Sequence, residues 1–245
     1  LFMATRQWIF FSNTFLVNTE GSFKKALSLF TDTHAKLRNE QADPDIAAMF
    51  AELDPVFQAY VSIYTNWEMM QGTYKGKTAG IEEILFEKMP ANLRLWEGAI
   101  RAVFPEDSPT EIEIFPNKRS PFLNGTYEQR IITVGALADK LTEYAALSAT
   151  QLLVASFYNT LESTRLRQQE KEGDVKRLST LLENQRIIVC QVMYGILGLL
   201  MHKYQTDTED IARFFDLSLI RQTGNGNNND EEPQPEEPQP DEPTP

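Results

Sequence analysis

The loop at residues 115–125, FPNKRSPFLNG, carries the residues best placed for chemistry. Lys118, Arg119 and Ser120 stand just before a predicted helix. The free N–H groups at a helix N-terminus attract anions, and nearby cations add to that attraction. The loop is therefore a candidate contact for a phosphate or a carboxylate. The alternative is that its two prolines only turn the chain, while the basic side chains face water near preceding acidic residues.

A second stretch resembles a phosphate-binding loop but is incomplete. GTYKGKT at 72–78 ends as a P-loop does, yet that pattern requires glycine at the position of Gln71. It also requires a buried strand before the loop, and TNWEMM precedes this one. We interpret the stretch as a polar turn between helices.

Sequence patterns for metal binding and nucleophilic catalysis are missing. The two histidines, His34 and His202, follow Thr31 and Leu199 by three residues, so the Glu-x-x-His motif of metal-binding helical bundles is absent. Cys190 stands in the most apolar segment, where burial makes a thiol unreactive. We therefore expect no catalytic residue, no cofactor and no metal, and we expect that the protein is not an enzyme.

The charge of the chain argues against nucleic acid as a partner. The sequence has 35 acidic and 23 basic residues, a net charge of −12 at pH 7. Seven of the acids and none of the bases lie in residues 223–245, so the rest of the chain carries −5. A nucleic-acid binder needs a basic excess. The single cysteine excludes an intramolecular disulfide but leaves the redox compartment open. A cytoplasmic location is favoured, with a secreted or periplasmic one as the alternative.

The elements that must position these residues are predicted to be helices. Apolar residues at steps of three and four indicate a helix over 22–40. Asp43 is expected to cap the next helix, with Pro44 in its first position. Pro55 should kink or split that helix, and the stretch QGTYKGKTAG should end it.

Further helices are expected near 79–88 and 91–103, separated by a proline. The residues EIEIF at 111–115 alternate acid and apolar, which predicts a short strand or, more simply, an extended connector. A strand would have to pair near the N-terminus or with a second copy of the chain. Thr126 and Gln129 fit a capping box that opens the next helix.

A long antiparallel helical hairpin is predicted for the second half of the chain. Its arms would meet at Gly173, because glycine suits the residue after a helix and Asp174 suits the next cap. The alternative to the hairpin is one uninterrupted helix through Gly173. Within the first arm, a break near Ser148 and a continuous helix to Lys171 both stay open. The charged tip would be available to a partner, or would only be a solvated face. The candidate interaction residues at the tip are Arg165, Arg167, Lys171, Lys176 and Arg177.

Two apolar segments raise the question of a membrane. Residues 187–201 would form a helix about 22 Å long, short of the roughly 30 Å hydrocarbon core, so we predict a buried central helix rather than an integral span. A short C-terminal helix should dock Phe214 and Phe215 on the core. Trp8–Val17 is a candidate amphipathic or anchoring segment for peripheral membrane contact.

The expected domain organisation is one helical body over 1–222, with a subdivision into 1–105 and 120–222 around a loop at 106–125 as an option. Residues 223–245 have no hydrophobic and no basic residue and are rich in proline, which predicts a disordered acidic tail. Taken together, the fold class is an all-α, elongated helical bundle with at most one short strand and a disordered C-terminal tail.

Three stretches carry a resemblance to a known family. FPNKRSPFLNGTYEQRIITVGALADKL, YGILGLLMHKY and DIARFFDLSLIRQ resemble a family of helical bacterial proteins with a disordered, proline-rich C-terminal tail. The resemblance spans residues 111–245. It implies architecture only and brings no activity or catalytic residue.

These observations favour a structural or interaction protein, such as a scaffold, an adaptor or a subunit of a larger bacterial assembly. Its partner would be another protein or a second copy of the chain. One alternative is an enzyme or small-ligand carrier whose site is assembled from residues distant in sequence. Another is a membrane-peripheral protein anchored by its N-terminal apolar segment.

Overall fold

The computed structural model describes residues 12–205 and 207–220, and all regular structure in these residues is helical. The all-α prediction is therefore confirmed. A π-helical turn spans Glu83–Lys88, and a 3-10 turn spans Ala145–Leu147. The helices are α1 (Thr14–Thr19), α2 (Phe23–Asn39), α3 (Pro44–Glu82), α4 (Met89–Val103), α5 (Pro109–Ile114), α6 (Ser120–Leu123), α7 (Tyr127–Leu141), α8 (Ser148–Tyr204), α9 (Thr208–Ala212) and α10 (Leu217–Ile220).

The described residues form two compact units, and the long helices α3 and α8 contribute to both. Unit 1 holds the residues up to Gln71 and those from Asp174 onward, and unit 2 holds Gly72–Gly173. This division does not follow chain order, unlike the expected subdivision around 106–125. Each unit has its own hydrophobic core.

In unit 1, α3 and α8 pack side by side in opposite directions. Lys203 Nζ lies 2.8 Å from Asp43 Oδ2 at one end, and Trp67 Nε1 donates to Ser179 Oγ at 2.9 Å farther along. Apolar side chains of α1, α2, α3 and α8 fill the space between the helices. This core includes Phe15, Phe30, Leu53, Tyr60, Met193 and Phe214.

In unit 2, α7 and the first part of α8 form an antiparallel hairpin. Arg165 Nε donates to Glu128 Oε1 at 3.0 Å, and the ring of Tyr158 lies against Gly135. The turn of this hairpin is at residues 142–147. The break near Ser148, which the sequence left open, is therefore present. The core beneath it includes Leu85, Leu93, Trp96, Val134, Leu141 and Leu161.

The predicted hairpin turn at Gly173 is wrong. Gly173 lies inside α8, which runs without interruption from Ser148 to Tyr204, and it does not have a positive φ. Its neighbours are mostly Arg, Gln, Glu and Lys, which are strong helix formers. Their propensity offsets the roughly 1 kcal/mol that one glycine costs a helix interior.

The predicted split at Pro55 and the predicted end at QGTYKGKTAG are also wrong, because α3 continues through both. Pro55 lies within the helix, and Ala51, the residue one turn earlier, is exposed. The glycine-containing stretch after Gln71 is helical as well. There Tyr74 and Thr78 accept hydrogen bonds from the buried Gln168, so tertiary contacts outweigh the local glycine signal.

Residues 111–114, predicted to be a strand or an extended connector, lie in α5, and Phe115 follows the end of the helix. Ser108 Oγ accepts the N–H of Glu111 at 3.2 Å and Pro109 follows it, which is a strong helix start that outweighs five residues of alternation. Ile114 is buried and Ile112 is exposed.

The C-terminal part of the described chain docks on unit 1. Phe214 and Phe215 are buried, as predicted. Phe15 of the predicted anchoring segment is buried too, and so is not available to a membrane. Residues 8–11 and the tail 223–245 lie outside the described residues.

Candidate functional site

The loop before α6 is held by ion pairs rather than open to a ligand. Arg119 donates to Glu97 Oε2 through Nε at 2.6 Å and also through Nη2. Arg101 Nη2 contacts the other oxygen of Glu97 at 2.9 Å. Ser120 Oγ accepts a hydrogen bond from the side chain of Asn124 at 3.1 Å. An anion at Arg119 would have to compete with a largely buried carboxylate.

Lys118 and Glu111 complete this network. Lys118 Nζ lies 3.4 Å from Asp107 Oδ1. Glu111 is only 2 % exposed, and its carboxylate accepts from Arg101 Nε at 3.3 Å and from the N–H of Asp107 at 3.2 Å. The network therefore ties residues 104–119 to α4, and this geometry gives no support to the candidate anion contact at Lys118, Arg119 and Ser120.

A cavity of about 240 Å³ lies beside the loop, between Pro116, Phe122 and Leu137. Its cations are Lys118 and Lys140. Lys140 contacts two carboxylates, one on α5 at 2.6 Å and one at the end of α7 at 2.7 Å, and these bonds raise the pKa of Lys140. Both lysines at this cavity are thus paired with carboxylates.

Arg165, predicted to lie at a projecting tip, is part of the packing of unit 2. Its guanidinium pairs with Glu128 and lies 5.4 Å from the ring centroid of Tyr127. It also donates to Gln168, whose amide reaches Tyr74 on α3 at 3.4 Å. Burial opposes ionisation of Glu128, but the hydrogen bond from Arg165 prevails and lowers the pKa of that carboxyl.

The other four residues of the predicted tip lie along α8 in helical positions. Arg167 is exposed, and Lys171 pairs with Glu170 at 3.1 Å. Arg177 Nη2 lies 3.7 Å from Asp174, one turn earlier. Lys176 also has an interaction partner. Because the helix does not end here, these residues do not form a tip, and the arrangement resembles the solvated face that was the alternative.

Two chemically notable side chains lie in the core of unit 1. His34 Nε2 lies 2.8 Å from Asp54 Oδ1, and its ring stacks on Phe57 with centroids 4.3 Å apart. Cys190 is fully buried, as predicted, and burial raises the pKa of its thiol. Among the residues that the structure describes, no group of three or more His, Cys, Asp or Glu side chains could hold a metal ion.

A row of apolar residues on α8, which we name the outer stripe, lies at the surface of unit 1. Leu181, Ile188 and Leu199 are 42 %, 41 % and 46 % exposed. Gly195 and Gly198 lie between them, and an added Cβ at either glycine would meet no atom within 4 Å. The segment 187–201 was predicted to be buried on most sides, and this open face corrects that prediction.

The sequence signal for the outer stripe is a spacing of seven. Leu181, Ile188 and Gly195 recur at that interval, and no Asp, Glu, Lys or Arg stands between Arg186 and Lys203. Sequence reasoning missed the stripe because the segment is apolar on every face, so periodicity does not show which face is open.

Two continuous helical stretches of the described chain, Pro44–Val103 and Ala145–Tyr204, each contain a window long and apolar enough to cross a membrane. In each window 28 % of the residues are buried. Core helices of soluble proteins meet the same criterion, so the absence of an integral span stays a prediction.

No family model, no curated protein and no solved structure matches this chain. Its function is therefore argued from geometry alone.

Proposed function

We propose that this chain is a non-enzymatic interaction protein that binds a helix of another protein along the outer stripe. In this role it would serve as a scaffold, an adaptor or a subunit of a larger assembly. The observation that carries the proposal is the outer stripe, where Leu181, Ile188 and Gly195 recur every seven positions and no charged residue stands between Arg186 and Lys203. Exposed apolar surface on a folded protein commonly marks a contact site.

The spacing favours a helical partner. Residues that recur every seven positions on a helix face one neighbouring helix along its length, as in coiled coils. The glycines at 195 and 198 would let a partner helix approach closely, because nothing stands above them. Ile188 and Leu199 would then flank that contact as its main apolar side chains.

Introducing acidic side chains into the outer stripe tests the proposal. In cell lysate, the wild-type chain should form a complex larger than the monomer, which we call the larger species. Ile188→Glu combined with Leu199→Glu should remove it. Both positions are surface positions, so Tm should change by no more than about 2 °C. Size-exclusion chromatography with light scattering measures the mass, and the purified chain of 28.0 kDa is the reference.

A matched control is Leu152→Glu with Leu153→Glu, because these leucines are 68 % and 62 % exposed on the same helix but belong to unit 2. The control should keep the larger species. A wild-type chain that runs as a monomer both in lysate and when purified would contradict the proposal. So would loss of the larger species in the control alone.

A further inference from the structure

A groove on unit 1, separate from the outer stripe, has a volume of about 280 Å³ and an almost wholly apolar surface. Its base is formed by Phe15 and Phe215, whose ring centroids are 5.2 Å apart. Leu197 and Met201 of α8 and Ile211 of α9 form its sides. Met201 is 56 % exposed, so the groove offers a large apolar side chain with nothing described above it.

The point where the described chain begins lies at this groove. Asn13 caps α1 by accepting the N–H of Phe15 at 3.0 Å, and its amide donates to the carbonyl oxygen of Cys190 at 2.7 Å. Thr14, the next residue, lines the groove itself. The residues before Ser12 are therefore covalently attached only a few positions from the groove lining.

Those preceding residues include the aromatic run Trp8-Ile9-Phe10-Phe11. Four consecutive large apolar residues are unfavourable in water, and each aromatic ring can bury about 150–250 Å². A chain spans at most about 3.5 Å per residue, so Trp8 lies within about 21 Å of Thr14. The whole run can therefore reach the groove.

We propose that the groove is the docking site of this chain's own residues Trp8–Phe11. The segment is covalently attached next to the groove, which gives it an effective concentration in the millimolar range. A second copy of the chain at micromolar concentration could not compete. Arg6 precedes the run, and the acidic residues Asp207 and Glu209 flank the groove residue Thr208, so the charges are complementary.

The groove and the outer stripe use different residues of α8. Leu197 and Met201 line the groove, whereas Leu181, Ile188 and Leu199 form the stripe. Docking of the N-terminal segment is therefore independent of the proposed function and can be tested separately.

Disulfide cross-linking in the full chain tests the docking. Gln7→Cys with Thr208→Cys places one thiol beside the aromatic run and one on the side of the groove. The control pairs Gln7→Cys with Thr180→Cys, which is an equally conservative change. Thr180 is exposed on α8 and lies about 15 Å along the helix from Cys190. Cys190 stays in place because it is fully buried.

Under mild oxidation, the Thr208 pair should form a disulfide within the monomer at least tenfold faster than the Thr180 pair. Adding Phe10→Ser and Phe11→Ser should reduce its rate to that of the control. Equal rates for the two pairs would overturn the proposal, as would a rate that does not depend on the phenylalanines. Disulfide-linked dimers would show that the segment of a second copy occupies the groove, which also overturns it.

Discussion

At the scale of single residues, Arg130 is a buried cation satisfied by backbone carbonyls. Its side chain is only 2 % exposed, and Nε donates to the carbonyl oxygen of Phe122 at 2.8 Å. A second nitrogen donates to the carbonyl oxygen of Leu85 in the π-helical turn. The guanidinium lies 5.0 Å from the centroid of Phe86, and burial lowers the pKa of Arg130. This one residue therefore joins the π-helical turn to α6 and α7.

Arg130→Met should destabilise the protein by about 2–4 kcal/mol, because two carbonyl groups lose their donors while the volume is nearly kept. Urea unfolding followed by circular dichroism measures the change. Arg167→Met is the matched control, because Arg167 is exposed on α8, and it should change the free energy of unfolding by less than about 0.5 kcal/mol. Similar losses in both variants would contradict the role given to Arg130.

Asp54 gives unit 1 a predictable response to acid. The hydrogen bond from His34 is the largest of the causes that lower the pKa of Asp54, and Gln58 adds a second bond. A carboxyl whose folded pKa is depressed stabilises the fold above its unfolded pKa. That stability is lost as the pH falls through the folded value.

Asp54→Asn should therefore lower Tm at pH 7, and the gap to the wild type should close as the pH falls below about 4, near the ordinary carboxyl pKa. The measurement is a series of thermal unfolding curves from pH 7 to pH 3. A gap that stays constant over this range would show that ionisation of Asp54 does not contribute to stability.

At the scale of elements, a substitution at Gly173 distinguishes a continuous helix from a hairpin turn. Its surroundings are open, and its backbone is compatible with any residue. Gly173→Ala should stabilise the protein by about 0.5–1 kcal/mol and raise Tm by about 1–4 °C, because alanine loses less backbone entropy in a helix. Thermal unfolding measures the change. If Gly173 were the left-handed residue of a turn, the same change would lower Tm.

Gly125→Ala is the matched control for that experiment. Gly125 has φ +95°, and an added Cβ would come within 2.5 Å of Gln129 Oε1. That oxygen accepts the N–H of Thr126 in the capping box at the start of α7. The control should therefore lower Tm, opposite in sign to Gly173→Ala.

Local signals at helix starts could be predicted from the sequence. Asp43 Oδ1 accepts the N–H of Asp45 at 2.9 Å with Pro44 in the first position, and Thr126 and Gln129 exchange both bonds of a capping box. These motifs involve neighbours within four residues, so the sequence holds all the information they need. Ser108 carries a signal of the same kind, which the alternation of the next residues concealed.

Continuity of the long helices could not be predicted in the same way. α3 keeps its helix through three glycines because Tyr74 and Thr78 meet Gln168, which is 90 or more residues away in sequence. Arginine usually faces solvent, yet Arg165 packs on Tyr127. Such contacts depend on which helices become neighbours, and a single sequence does not show this.

At the scale of the whole molecule, charge and apolar surface act in opposite directions. The chain carries −12 at pH 7, and seven of its acidic residues lie in 223–245. Net charge of one sign keeps copies apart, and proteins associate as that charge approaches zero. The exposed apolar residues of both units are unaffected by pH in this range.

Self-association should therefore rise as the pH falls from 7 towards the point of zero net charge, and a chain lacking residues 223–245 should associate at a higher pH than the full chain. Its net charge at pH 7 is only −5, so fewer protons neutralise it. Static light scattering across a pH titration measures the onset for both chains at equal concentration and ionic strength. The full chain with its seven tail acids changed to Asn or Gln should match the truncated chain, because the effect comes from charge. An onset that follows tail length instead would mean that the tail limits association by its bulk.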